Sequence, residues 1–177
     1  MWIAIILIAL VGTLSHFLYE ISGHNKVVGL FAAVNESTWE HIKIALTPTF
    51  LFSLYDYFVY GNLDNYAFAK ACSLVFIIIV IPILFYGYTS VTKKAFLPVD
   101  IVIFYLSIIG SQYIFYYILG LDGFPFIFKY LSIILIFLIF GFYMVATIFP
   151  FEGLIFKDPI SKKYGIEGHT EFDHKKH

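Results

Sequence analysis

Six ionisable side chains near the start of the chain are spaced as if to do chemistry. His16 and Glu20 are four residues apart, and Glu36, Glu40 and Lys43 follow at intervals of four and three, with His41 beside Glu40. On a helix, residues three or four apart share a face, so each set forms one stripe. Ala9 and Gly12 extend the first stripe and Thr47 the second. Small residues mark close helix approach, which turns the first stripe inward. If the two helices are antiparallel neighbours joined by a short connection, His16 comes level with Glu40, and Glu20 with Glu36.

Two chemistries are open to such a cluster. Imidazole and carboxylate donors from His16, Glu20, Glu36, Glu40 and His41 would suit a divalent metal such as zinc. Alternatively, crowded carboxylates form an acid and base pair for proton transfer. In either case Glu40 is the expected general base, with Glu36 beside it. His16 is the expected first ligand, and Lys43 the group that stabilises developing negative charge. A plainer reading stands alongside. Ser37-Thr38-Trp39-Glu40 matches the S/T-x-x-E capping box, Lys43 would neutralise a neighbouring glutamate, and His16 would bond across helices.

Composition says what must hold these groups. The 177 residues are 60% hydrophobic and 13% charged, half the charge of an ordinary soluble domain. Mean hydropathy is +0.87. A soluble enzyme, a disordered chain and a nucleic-acid reader with a basic face are excluded. All eleven basic residues are Lys, and Cys72 is the lone cysteine, which leaves no disulfide framework and no thiolate zinc cluster. The expectation is an all-α, integral membrane bundle of five transmembrane helices.

A bilayer core about 30 Å thick takes roughly 20 apolar residues. The expected spans are about 2–21, 36–60, 68–88, 101–121 and 126–151, with a tail over 152–177. Pro48 is a candidate kink. The first span lacks a basic leader and small-residue exit and reads as retained. Lys26, Lys93, Lys94, Lys157, Lys162 and Lys163 fall in the first and third connections and the tail. The other two connections carry Asp64 and Asp122 but no Lys. Positive residues concentrate on the cytoplasmic side, so the N-terminus is expected outside and the C-terminus in the cytoplasm. Lys70 and Lys129 are expected to snorkel from helix ends.

Weaker signals lie elsewhere. Gln112 reads as an interhelix contact or a path lining. Asp56, among Tyr55, Tyr57 and Tyr60, reads as part of an aromatic belt. The apolar 29–34 stretch is too short to span and would pack, or dip over the cluster as a lid. The tail from Phe156 to Ile166 reads as a turn against the bundle. His169, Glu171, Asp173, His174 and His177 have the donor types to bind a metal but read better as a solvated end.

The blocks Ser15-His16-Phe17-Leu18-Tyr19-Glu20, Val28-Gly29-Leu30-Phe31 and Val34-Asn35-Glu36-Ser37-Thr38-Trp39-Glu40-His41-Ile42-Lys43 resemble a family of small prokaryotic multi-pass membrane proteins of unknown function. Phe156-Lys157-Asp158-Pro159 and Tyr164-Gly165-Ile166 are similar to that family's ending. The resemblance covers essentially the whole chain and implies no activity. A fainter likeness joins His16-x-x-x-Glu20, Glu36 or Glu40 before Pro48, and Gly110-Ser111-Gln112-Tyr113 to the sterol-isomerase and sigma-2-receptor superfamily. An additional helix here separates the last two elements, so the likeness serves as an analogy for acid–base work on a lipid.

Three functions follow as expectations. The first is an intramembrane enzyme acting on a lipid or lipid-linked substrate at the cytoplasmic leaflet. The second is an ion- or proton-coupled transporter, with Gln112 further along its path. The third is a non-catalytic membrane partner or assembly factor whose cluster clasps helices. Membrane lipid is the expected partner in the first, nucleic acid in none, and assembly with a second copy stays open.

Overall fold

The apolar runs form long helices. The computed structural model describes residues 1–122 and 125–169. Its helices are α1 (Trp2–Ile21), the short α2 (Lys26–Gly29), α3 (Thr38–Tyr60), α4 (Tyr66–Thr92), α5 (Leu97–Leu119) and α6 (Phe126–Ile148), followed by a 3₁₀ turn at Gly165–Gly168. Among the described residues no strand forms beyond one isolated bridge between Lys157 and Tyr164. The fold class is all-α.

Four of the helices, α1, α4, α5 and α6, are long and apolar enough to cross a membrane. They turn Ile3, Leu14, Ile83, Val91, Phe137 and Leu138 outward, a surface that water would not tolerate and lipid would. The remaining long helix, α3, is more polar for a structural reason. It packs against α1, α4, α5 and α6. Its Glu40, Lys43, Thr47, Thr49 and Asp56 are all buried, so neighbours rather than lipid surround them. Pro48 lies inside α3 and Pro82 inside α4, and neither ends its helix.

Ile42 and Leu46 of α3, Leu74 and Ile77 of α4 and Ile108 of α5 are buried to 1% exposure or less in the apolar core. Close approach of α1 to α3 depends on Gly12, as the small-residue stripe implies. A Cβ there would stand 2.7 Å from both the Ile44 carbonyl oxygen and the Phe104 ring. The ring can turn aside, but the backbone oxygen cannot. Gly12→Val is therefore expected to separate the helices and cost about 1–3 kcal/mol by overpacking, read as a lower melting temperature in detergent.

One expectation is overturned at the opposite end of the bundle. Lys70 does not snorkel: it is 1% exposed, with Nζ 2.6 Å from Asp56 Oδ2 and 3.8 Å over the Phe115 ring. Asp56 is likewise buried rather than part of a surface belt. The α3–α4 hairpin faces the two residues toward each other, and an ion pair inside the bundle replaces two separate exits to solvent.

Candidate functional site

Two polar clusters, not one, form where α1 ends and α3 begins. Ser37 caps α3, and its Oγ accepts the Glu40 N–H at 3.4 Å. Glu36 therefore precedes the helix and leaves the stripe that Glu40 and Lys43 continue. The reciprocal half of a capping box is not made. Ser37 N–H donates to Asn35 Oδ1 (2.8 Å), and the Glu40 carboxylate is used elsewhere.

The buried cluster is built on Glu40 and Lys43, each 1% exposed, with Lys43 Nζ 2.5 Å from Glu40 Oε2. All three ammonium protons have acceptors, the other two being Gly29 O at 2.7 Å and Thr147 Oγ1 at 2.8 Å. Glu40 Oε2 also accepts the Val34 N–H (3.1 Å), and Oε1 lies 3.4 Å from the Thr147 hydroxyl. Desolvating two charges costs several kcal/mol each, and only such complete pairing offsets it. The 29–34 segment supplies two of these partners and folds over the pair, with Ala32 and Val34 at 0% and 1% exposure. It packs as a cover.

The open cluster is built on Glu36, whose side chain is 43% exposed. Its Oε1 is 3.5 Å from His16 Nε2 and its Oε2 3.6 Å from His41 Nε2, so the carboxylate lies between two imidazoles. His41 Nδ1 is 3.0 Å from the Ser37 carbonyl oxygen. A carbonyl only accepts, so that nitrogen carries hydrogen. The other ring nitrogen, His41 Nε2, is the one turned to the Glu36 carboxylate. The Glu36–His41 contact thus sets a carboxylate beside an imidazole nitrogen, the pairing that proton transfer requires.

Glu20 joins neither cluster. It stands beside His169 (3.8 Å), which is buried rather than solvated. Glu171, Asp173, His174 and His177 lie outside the described residues. His16 comes level with Glu36 and His41 instead of Glu40, its ring 5.7 Å from that of His41. The five expected metal donors therefore do not meet at one point: His16, Glu36 and His41 gather, while Glu40 turns to Lys43 and Glu20 to His169. Among the described residues no group of three or more His, Cys, Asp or Glu side chains could hold a metal ion, so the donor set does not fit the divalent metal considered from sequence.

The tail builds the other wall, as its turn-like sequence suggests. Asp158 Oδ1 accepts the Glu36 N–H (2.9 Å), while Oδ2 accepts from Ile160 (3.0 Å) and Ser161. Asn35 Nδ2 donates to Gly165 O (2.7 Å), and Trp39 N–H to Ile155 O (2.9 Å). Trp39 in turn stacks on Tyr143 at 3.9 Å. These bonds fix the backbone on both sides of Glu36.

Beside Glu36 a cavity of about 310 Å³ runs between α3, α4, α5 and the tail. Its apolar wall includes Ile81, Phe85, Leu97, Ile103 and Phe104, and its polar edge Glu36, Thr38, His41 and Asp100. Tyr88 donates to Asp100 Oδ1 at 2.5 Å and holds it there. Asp100 and Phe85 were not foreseen as site residues. No local spacing links them to Glu36, since α4 and α5 reach it only through the tertiary fold.

An all-helical bundle with lipid-type outer faces and a polar pocket at one end defines a helical membrane protein. The chain matches the model of a family described as a family of unknown function, DUF6512, over residues 1–166, and it belongs to that family. No curated protein and no solved structure matches it. The likeness to the sterol-isomerase and sigma-2-receptor superfamily is accordingly not supported, and His16 and Glu20 turn to different partners.

Proposed function

We propose that the protein is a membrane-embedded enzyme performing acid–base chemistry on a lipid or lipid-linked substrate, with Glu36 as the central group and His16 and His41 as its proton partners. It crosses the prokaryotic cell membrane five times, through α1, α3, α4, α5 and α6, with the N-terminus outside and the tail in the cytoplasm. The Lys-bearing connections at one end of the bundle support that orientation. One observation carries the catalytic reading: a carboxylate clasped by two imidazoles stands at the edge of an apolar cavity. Such a cavity accepts a hydrocarbon tail and leaves the polar junction of the lipid against the carboxylate. Glu36 would take a proton from a substrate hydroxyl or water, and His41 would pass it on.

The reading moves the chemistry away from Glu40 and Lys43. Both are sealed and fully bonded, which favours the interhelix clasp for that pair alone. The carrier reading gains no comparable support, because the cavity beside Glu36 is walled by Ile81, Phe85, Ile103 and Phe104 and Gln112 does not line it.

The test is conversion of a lipid extract by the purified full chain, followed by mass spectrometry of the lipids. Glu36→Gln is expected to lower conversion by about 10²–10⁴, the usual worth of a positioned general base, with melting temperature unchanged. Unaltered conversion by this variant, or no conversion by the parent protein, would overturn the proposal.

A further inference from the structure

A second cavity, of about 320 Å³, adjoins the first. Glu36, Thr38, Phe85 and Pro159 line both, so these residues form a shared wall. The two spaces differ in chemistry. The first is walled by the α4 and α5 hydrocarbon side chains. The second lies under the tail and brings Lys157 and Lys162 to its surface. Its two carboxylates are already engaged. Asp158 is 1% exposed and accepts three backbone N–H groups, and Glu36 faces its two imidazoles. Lys162 Nζ donates to the Pro159 carbonyl at 2.6 Å, and among the described residues neither lysine has a carboxylate partner.

We infer that the joined cavities bind an amphiphile bearing a phosphate group, its hydrocarbon tail between α4 and α5 and its phosphate on Lys157 and Lys162. This deepens the reading of Glu36 as the reactive group and rests on it for the chemistry, though not for the binding. The charge distribution decides the headgroup. Two ammonium groups without a carboxylate partner attract an anion, whereas a cationic headgroup would meet like charge. The placement has a chemical consequence. The junction between tail and phosphate would cross the shared wall, within reach of Glu36 and Thr38. With no Arg in the chain, lysine point charges rather than guanidinium forks must do the recognition.

The experiment uses the full chain in a neutral maltoside detergent and radiolabelled dodecyl phosphate as the probe, with dodecanol, dodecyltrimethylammonium and inorganic phosphate as competitors. Dodecyl phosphate is expected to bind, dodecanol to compete weakly, and the other two not to compete. The double variant Lys157→Gln/Lys162→Gln should weaken dodecyl phosphate binding about ten-fold and leave dodecanol unchanged. Its substitutions lie in the tail, so melting temperature reports whether the fold is intact. Ala95→Trp, at the first cavity's edge, should weaken both dodecyl compounds. Three results would overturn the inference: retention of dodecyl phosphate by the folded double variant, displacement by inorganic phosphate at equal concentration (a free-phosphate site), or preference for the ammonium compound. Lysine-dependent binding without lipid conversion would keep this inference and remove the enzyme reading. Conversion of lipids without lysine dependence would do the reverse.

Discussion

Lys43→Met alone is expected to destabilise the protein by about 3–5 kcal/mol, because it leaves the Glu40 carboxylate buried and without its counter-charge. The ammonium also ties α3 to both the Gly29 carbonyl and Thr147 of α6. Its loss therefore loosens the cover and the last helix together. Adding Glu40→Gln should restore most of the loss. A neutral amide still accepts the Val34 N–H, and the desolvation of two ions no longer opposes folding. Melting temperature and trypsin sensitivity of the 26–34 segment give the readout. The double variant also separates clasp from catalyst. A pair that only holds helices together can be neutralised with lipid conversion retained, while a base at Glu40 would take the activity with it.

The same pair shows what the sequence could and could not convey. Spacing put Glu40 and Lys43 on one face, and burial on that face follows from α3 being enclosed by four helices. Spacing also suggested that α1 and α3 are antiparallel neighbours, which they are. The vertical register between them was not legible. It is set by the sixteen-residue connection 22–37, whose Asn25-capped short helix and buried 32–34 segment consume length in a way no periodicity reveals. A register difference of about one turn sends His16 to Glu36 instead of Glu40, and one site becomes two clusters. The cap at Ser37 was the local clue. Once Ser37 is the N-cap, Glu36 lies outside the helix and is free to face His16. The cavity walls from α4 and α5 had no such clue, because they belong to contacts between distant parts of the chain.

Asp56 and Lys70 offer the opposite lesson, since their meeting follows from the hairpin alone. Each stands seven residues from Leu63, at the centre of the turn between α3 and α4. Residues equally far from the turn of an antiparallel helix pair lie at equal depth. An acid and a base there, on facing stripes, pair within the bundle more cheaply than two charges seek separate exits through lipid.

The Asp56–Lys70 pair is less completely satisfied than its counterpart at the other end, and its mutational behaviour should differ accordingly. Lys70 Nζ has one carboxylate oxygen and the Phe115 ring face as partners, where Lys43 has three oxygen acceptors. Asp56 Oδ1 is buried and has no hydrogen-bond partner among the described residues. Lys70→Leu is expected to cost about 3–5 kcal/mol through the stranded carboxylate. The double variant Asp56→Leu/Lys70→Leu should equal or exceed the parent protein in melting temperature, because apolar packing replaces two ions that are imperfectly compensated. Phe115→Leu, which removes the ring beneath the ammonium, should cost about 0.5–2 kcal/mol of cation–π attraction besides lost packing. This cost should fall when Lys70→Leu is already present. Thermal unfolding of the four proteins in one detergent measures that coupling directly. A double variant as unstable as Lys70→Leu would show that the pair, though underbonded, is essential to the hairpin. A double variant at or above parental stability would show that the bundle's far end tolerates two buried charges without depending on them.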